Sequence, residues 1–210
     1  ALMHACMRRL SMIDRRCKQG EWHSWTWRHD SYELRGKTVG IVGGGAIGRM
    51  VMQRLQGWDC KLIYSDPYRM PEEMEKKLNC EYVSLETLLR ESDVVSLHCP
   101  LTEQTRGMIG KEQLAMMKPN AIIVNEARGA VIDDKALVEA LQNGTIWGAA
   151  IDTWEKEPLD PNDPLVKMEK VITTSHLGAA TRETVIRCFS IGYQNILRQI
   201  HGEELVNRIV

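Results

Sequence analysis

The sequence predicts an α/β protein whose parallel sheet is covered by helices on both faces, a doubly wound arrangement. From Lys37 onwards, short apolar segments alternate with amphipathic ones, which is the pattern of parallel strands joined by helices. A glycine-rich turn joins the first apolar segment directly to the first amphipathic one. The 210 residues can bury a substantial core, in one domain or at most two.

The chain opens with a segment that precedes this alternation. Apolar residues at positions 2, 3, 6, 7, 10 and 13 predict one helix over residues 1–19, which ends at Gly20. Residues 21–36 are irregular and rich in tryptophan. Tryptophans at this density more often cover a core edge or a subunit interface than bind a ligand.

The alternating part predicts six strands and six helices. The strands are expected at residues 38–42, 61–65, 94–98, 121–125, 147–151 and 171–174. The helices are expected at residues 46–56, 71–78, 84–91, 111–117, 133–142 and 180–200. The proline-rich residues 157–164 are predicted to form a loop.

The glycine-rich turn carries the pattern of a Rossmann-type NAD site. Gly43 permits a tight turn, Gly45 lets the backbone approach a pyrophosphate, and Gly48 lets the helix pack on the strand. The helix begins at Ala46 and Ile47, so its free N–H groups face the phosphates.

An acid completes this pattern and favours NAD over NADP. Asp66 ends the second strand, eighteen residues after Gly48, and can accept both adenosine ribose hydroxyls while repelling a 2′-phosphate. Arg69 is the opposing observation, since an arginine nearby can accept a 2′-phosphate. With Asp66 present, we interpret Arg69 as a solvated surface residue.

Chemically useful side chains follow the other strands. Ligands of such sheets bind outside the carboxyl ends of the strands, so these residues are expected to converge beside the dinucleotide. They are Cys99 and Pro100, then Glu126, Ala127 and Arg128, then Asp152, Glu155 and Glu157, and finally His176 and Gly178. An arginine, several carboxylates and a histidine at one site are the residue types that catalysis uses, so this edge is the predicted active site.

Four motifs in one order give the chain a family resemblance. Residues 98–105 (HCPLTEQT), 117–133 (MKPNAIIVNEARGAVID), 150–158 (AIDTWEKEP) and 175–181 (SHLGAAT) closely resemble the D-isomer-specific 2-hydroxyacid dehydrogenases, the group that includes D-3-phosphoglycerate dehydrogenase. The resemblance implies hydride transfer between NAD and a 2-hydroxy or 2-keto acid. It implies an NAD-binding domain over residues 1–200 and a tail at 201–210 that returns toward a substrate domain, which we expect to be absent from this chain. It also implies that the first helix and the Trp-rich segment pair two copies into a homodimer.

The resemblance assigns roles that the chemistry of the residues permits. Arg128 is implied to bind the substrate carboxylate and polarise the keto oxygen. His176 is implied to act as general acid or base, and Glu157 to hold its imidazole, with Glu155 as the competing candidate. Asp152 is implied to orient the nicotinamide. The cofactor contacts implied by the motifs also include Cys99, Pro100, Thr105, Glu126, Ala127, Arg128, His176 and Gly178.

Some alternatives stay open at this point. Arg128 can instead bridge surface carboxylates, while His98 and Cys99 fit packing roles better than chemical ones. Glu126 stands where related motifs often carry a small or neutral residue, and its effect on substrate binding is open in either direction. A rival function is an NAD-sensing corepressor with the same fold.

The composition argues against several other classes of function. The 27 basic and 28 acidic side chains nearly cancel, and no basic stripe with interleaved aromatic residues predicts nucleic-acid binding. Six scattered cysteines without a CxxC pair indicate a reducing cytoplasm. No segment predicts a membrane span or a signal peptide, and the histidine spacing predicts no metal site.

Overall fold

A computed structural model describes residues 1–207 of the chain. This part contains seven strands: β1 (Thr38–Val42), β2 (Lys61–Ser65), β3 (Cys80–Tyr82), β4 (Val94–Leu97), β5 (Ile122–Asn125), β6 (Gly148–Ile151) and β7 (Val171–Thr173). The six predicted strands are present, the last four each one residue shorter than predicted. β3 was not predicted, because its three residues include the exposed Glu81 and form no apolar run.

All strand pairs in the sheet are parallel, in the order β3-β2-β1-β4-β5-β6-β7. The chain proceeds outward from β1 to β3 and then returns to place β4 on the other side of β1. The carboxyl ends of β1 and β4 therefore form the crevice at which a doubly wound sheet binds its ligand. The predicted fold class is confirmed.

Helices cover both faces of the sheet, as the buried side chains of the strands require. In β2, Leu62 and Tyr64 join the core beneath one face, and Ile63 joins the core on the other. The helices are α1 (Leu2–Met7), α2 (Leu10–Lys18), α3 (Ser24–Trp27), α4 (Ala46–Leu55), α5 (Glu72–Leu78), α6 (Leu85–Glu91), α7 (Lys111–Met116), α8 (Asp134–Gln142), α9 (Pro164–Lys167) and α10 (Arg182–His201). Within residues 1–207, no helix combines the length and apolar character needed to cross a bilayer.

The prediction of a single helix over residues 1–19 is wrong. The helix is interrupted between α1 and α2 at Arg9, whose φ of 52° is left-handed. α1 buries Met3, Cys6 and Met7 in the core, and the Cys6 thiol donates to the carbonyl oxygen of Ala149 in β6 at 3.5 Å. The apolar residues of positions 2–13 form one continuous pattern in the sequence, but only α1 packs on the sheet, so the segment forms two helices.

The Trp-rich segment forms α3 and a 3₁₀ turn at Arg28–Asp30. Trp22 and Trp25 leave 81% and 74% of their surface exposed, and the Arg28 guanidinium lies 3.9 Å from the centre of the Trp25 ring. These two tryptophans therefore do not cover a core edge within this chain.

The predicted loop over residues 157–164 is present except at its last residue. Residues 157–163 contain no helix or strand, as predicted, but α9 begins at Pro164 and was not predicted. The Asp163 carboxylate caps α9 by accepting from the Leu165 N–H at 2.8 Å. Proline at the first helical position is compatible with the helix because that position needs no N–H donor.

Contacts divide the chain into one compact unit over residues 1–175 and a second that begins at His176. In the second unit, the Thr181 hydroxyl caps the first turn of α10, and Gly202 ends the helix with a φ of 70°. The Asn195 side chain exchanges two hydrogen bonds with the backbone of Val206, at 2.9 and 3.0 Å. The tail thus turns back along α10, while residues 208–210 of the predicted tail lie outside the described residues.

Candidate functional site

The glycine-rich turn lies at the carboxyl end of β1 and is closely packed. Gly43 has a φ of 105°, and a Cβ added there would lie 2.8 Å from the carbonyl carbon of His98. A Cβ added to Gly48 would lie 2.0 Å from the carbonyl oxygen of Gly43. Both positions therefore require glycine for the turn and for the close approach of α4.

Gly45 differs, because a Cβ built there would meet nothing within 4 Å. This residue is the N-cap of α4, and no side chain caps the helix. The N–H groups that follow, at Ala46, Ile47 and Gly48, begin a ten-residue helix. Open space over uncapped N–H groups fits a bound pyrophosphate.

Asp66 links the glycine turn to the loop after β2. One carboxylate oxygen accepts from the Gly44 N–H at 2.7 Å, and the other accepts from the Tyr68 N–H at 2.8 Å. Each carboxylate oxygen keeps a further lone pair. The residue can therefore hold this loop in place and still accept a ribose hydroxyl.

Arg69 is a surface residue with 61% of its side chain exposed, as interpreted from the sequence, but it also has a specific partner. Its guanidinium donates to both carboxylate oxygens of Glu75, from Nε and Nη2, each at 2.9 Å. Sequence reasoning could not find this pair, because nothing at a spacing of six residues marks an arginine in a loop and a glutamate in α5 as partners.

The loop after β4 contains three predicted cofactor contacts, Cys99, Pro100 and Thr105. The Thr105 hydroxyl donates to the carbonyl oxygen of Pro100 at 2.6 Å and accepts from the Thr102 N–H at 2.8 Å. Thr105 thus holds the loop together. Burial raises the pKa of Cys99, and the nearby Asp66 carboxylate adds to this, which fits a packing thiol better than a nucleophile.

His98 precedes this loop and packs at the end of β4. Its Nε2 lies 2.9 Å from the Ser96 hydroxyl, and Nδ1 is buried without a hydrogen-bond partner. Burial lowers the pKa of His98 to about 4. The neutral imidazole agrees with the packing role expected from the sequence.

Arg128 lies in a loop after β5 whose backbone is held by hydrogen bonds from the buried Asn125. The Asn125 amide donates to the Arg128 carbonyl oxygen at 3.0 Å, and its oxygen accepts from the Ala127 N–H at 3.1 Å. The exposed Arg128 guanidinium donates to the Ala127 carbonyl oxygen at 2.7 Å. Among residues 1–207, no carboxylate forms an ion pair with Arg128, so four of its five N–H donors are open to other partners.

Glu126 forms no ion pair with this arginine within residues 1–207. Its side chain lines a 210 Å³ cavity with residues of α1, α4 and Trp58. Desolvation raises the pKa of Glu126, and the nearby Asp152 carboxylate adds to the effect. The nearby charge that acts on the pKa of Glu126 is therefore the carboxylate of Asp152.

Asp152 follows β6 and is 2% exposed. Its Oδ1 accepts from the Thr174 hydroxyl at 2.5 Å. Thr174 also accepts, through its backbone carbonyl, from the Trp154 indole N–H at 2.9 Å. The ends of β6 and β7 are thereby joined, and the carboxylate of Asp152 is fixed in position.

The two glutamates that compete for the histidine lie in different surroundings. Glu157 Oε1 accepts from the Trp154 N–H at 3.1 Å, whereas Glu155 lies 3.8 Å from Arg106 in an exposed ion pair. Both belong to the first unit. His176 and Gly178 belong to the second unit, and His176 adopts a left-handed φ of 57°, which histidine tolerates better than most residues.

The first unit thus brings together the glycine turn, Asp66, Cys99, Arg128 and Asp152 at one edge of the sheet. The catalytic and cofactor roles of the individual residues stay predictions. Sequence reasoning missed Asn125 and Thr174, the residues that position Arg128 and Asp152. The one indication in the sequence was their position, since Asn125 is the last residue of β5 and Thr174 directly follows β7. Within the described residues, no group of three or more His, Cys, Asp and Glu side chains is arranged to hold a metal ion.

The family comparison matches most of the chain. Residues 1–178 match the family model described as "D-isomer specific 2-hydroxyacid dehydrogenase, NAD binding domain". The match includes both the glycine turn and the segment around His176. NAD is the cofactor of this domain, in agreement with the sequence prediction.

Individual proteins similar to this chain are also dehydrogenases or reductases by name. The chain is 45% identical to the glyoxylate reductase of Korarchaeum cryptofilum, over all of this chain and 64% of that protein. It is 37% identical to the D-3-phosphoglycerate dehydrogenase of Archaeoglobus fulgidus, over all of this chain and 39% of that protein. The D-lactate dehydrogenase of Lactobacillus jensenii, solved with NAD⁺, superposes with a TM-score of 0.87 at 30% identity, over all of this chain and 66% of that one.

The chain therefore spans less than two thirds of the two curated relatives named above. These three proteins are named as enzymes, and none of their names supports the corepressor alternative.

Proposed function

Because this chain belongs to the D-isomer specific 2-hydroxyacid dehydrogenase family, we propose that it is the cofactor domain of an oxidoreductase that interconverts a D-2-hydroxy acid and its 2-keto acid. The observation that carries this proposal is the placement of Arg128. Asn125 holds the Arg128 loop at the carboxyl end of β5, beside the crevice that takes the dinucleotide, and no ion pair within residues 1–207 occupies the guanidinium.

Each residue has one task in this proposal. When bound, NADH would supply a hydride for C2 of the keto acid. Arg128 binds the substrate carboxylate and polarises the keto oxygen, which a fixed guanidinium fork does well. His176 gives the proton to that oxygen, so that the products are the hydroxy acid and NAD⁺. Glu157 orients the imidazole, and Asp152, fixed by Thr174, would orient the nicotinamide end of the cofactor.

The substrate is a small 2-keto acid in this proposal, with glyoxylate the first candidate because the relative from Korarchaeum is a glyoxylate reductase. The test is a steady-state assay of the complete protein with NADH, using glyoxylate, hydroxypyruvate and bulkier 2-keto acids. We expect turnover on at least one of them. Tight NADH binding without turnover on any 2-keto acid would contradict the enzymatic role and favour a sensing role.

The proposal includes a homodimer formed through the first two helices and the Trp-rich segment. The exposed Trp22 and Trp25, together with a 790 Å³ cleft lined by Trp22, Trp27, Arg28 and Arg35, support a protein interface, since tryptophan and arginine are enriched there. A cytoplasmic location, expected from the scattered cysteines, also stays a prediction.

Sedimentation equilibrium tests the dimer. We expect a dimer at micromolar concentration and a shift toward monomer in Trp22→Ser/Trp25→Ser, because exposed indoles are typical centres of interface energy. Tyr68→Ser, at an exposed aromatic residue in the loop after β2, is the control, because it lies outside the first two helices and the Trp-rich segment. A monomeric unmodified protein at high micromolar concentration would contradict the proposal.

A further inference from the structure

We propose that Glu75 is a determinant of cofactor specificity, because its ion pair with Arg69 withholds the one arginine of the ribose-binding loop from a 2′-phosphate. The proposal rests on NAD binding and not on the reaction proposed above. Glu75 lies in α5, outside both the glycine turn and the loop after β2. The proposal gives this residue a part in discriminating NADH from NADPH.

Arg69 stands where an arginine can serve NADPH. It follows Asp66 by three residues in the loop after β2, and the adenosine ribose is recognised at this loop. The guanidinium is 5.5 Å from the centre of the Tyr82 ring, and the Tyr82 hydroxyl donates to the Asp66 backbone carbonyl at 3.2 Å. Tyr82 thus contacts both the arginine and the residue that is expected to contact the ribose.

The guanidinium is nevertheless committed to another partner. Two parallel hydrogen bonds of 2.9 Å join it to Glu75, which is the strongest geometry that an arginine and a carboxylate can adopt. Arg69 is 61% exposed but the Glu75 side chain only 8%. Because the carboxylate is the buried partner, it determines where the guanidinium lies.

A third hydrogen bond fixes the carboxylate itself. The hydroxyl of the fully buried Tyr64 donates to Glu75 Oε1 at 2.6 Å and accepts from the Met70 N–H at 2.8 Å. The hydrogen bonds from Arg69 and then from Tyr64 lower the pKa of Glu75 to about 2. The carboxylate is therefore charged throughout the physiological pH range and cannot turn outward without leaving the Tyr64 hydroxyl.

Selectivity against NADPH then has two components. Asp66 repels the 2′-phosphate, and Glu75 removes the positive charge that would attract it. Such a combination of repulsion and withheld attraction is a common way to achieve specificity. It follows that replacing Asp66 alone removes the repulsion but leaves the ion pair of Arg69 with Glu75 in place.

The experiment measures dissociation constants of NADH and NADPH by fluorescence titration of the purified protein. The reference is Asp66→Ala, in which the ratio of affinities should shift toward NADPH. In that background, Arg69→Ala should change NADPH affinity less than twofold, because Glu75 already holds the arginine. Adding Glu75→Gln to Asp66→Ala should raise NADPH affinity about tenfold, the effect of one charge-assisted hydrogen bond. Arg69→Ala should then remove this gain.

Two results would overturn the proposal. The first is a clear loss of NADPH affinity in Asp66→Ala/Arg69→Ala, which would show that the arginine is available while Glu75 is present. The second is an unchanged NADPH affinity in a folded Asp66→Ala/Glu75→Gln protein, with folding checked by thermal melting. If that variant does not fold, Glu75→Asp, which keeps the charge but is too short for the same bidentate pair, is subject to the same expectation. Glu86→Gln, an exposed carboxylate on α6 paired with Arg90, is the matched control and should leave both affinities unchanged.

Discussion

Replacing His176 with alanine in the complete protein is expected to lower kcat by about 10²- to 10⁴-fold, the usual contribution of a general acid or base. In the proposed reaction the imidazole supplies the proton that the keto oxygen gains when C2 accepts the hydride, and water would replace it poorly. Steady-state kinetics with NADH and the best 2-keto acid of the panel would measure the loss.

The exposed His201, in the last turn of α10, provides the matched control. His201→Ala should leave kcat within a factor of two, and NADH affinity should change little in either variant compared with the loss of kcat. A His176→Ala protein that retains more than a tenth of the unmodified kcat would remove the histidine from the mechanism.

The glycine turn gives a second large effect, which separates cofactor binding from folding. Gly45→Ala should fold normally, because its Cβ meets nothing within 4 Å, but should weaken NADH binding at least tenfold, since the methyl group occupies the space of the pyrophosphate. Gly48→Ala should be destabilised by about 1–3 kcal/mol, a typical cost of overpacking, because its Cβ would lie 2.0 Å from the Gly43 carbonyl oxygen.

Urea unfolding and NADH titration of the two variants make the comparison, with Gly192→Ala in α10 as a control at a glycine whose Cβ also meets nothing within 4 Å. Unchanged NADH affinity in Gly45→Ala would mean that the phosphates do not approach the backbone at this residue. Unchanged stability in Gly48→Ala would contradict the close packing of α4 on the turn.

The strands of the sheet were the most predictable part of the fold. β1 and β2 have the predicted bounds, because a strand buried on both faces is an uninterrupted apolar run and the glycine turn and Asp66 mark their ends. The break at Arg9 was not predictable, because no proline or glycine marks it. It arises from the packing of α1 against β5, β6 and β7, which the local sequence does not contain.

The candidate site was predictable to a similar extent. The positions of Arg128 and Asp152 follow from the rule that the carboxyl ends of parallel strands meet at one edge. The partners that hold them do not follow from it. Asn125 and Thr174 act through contacts within a loop and between strands, and the Glu75 pair with Arg69 requires α5 to lie beside the loop after β2. A pattern of residue types along one chain does not encode these distances.

We conclude that these 210 residues form an NAD-binding domain whose relatives extend beyond it. Hydride transfer requires the substrate to be held in a near-attack pose with water excluded, and we propose that residues outside the matched part of the relatives provide this closure. Calorimetric titration of the 210-residue chain with NADH, followed by an assay of the same sample with the 2-keto acid panel, tests the claim most directly. We expect saturable binding of one NADH per chain and negligible turnover. Failure of the folded chain to bind NADH would contradict the assignment of the domain, and robust turnover would contradict the need for residues beyond it.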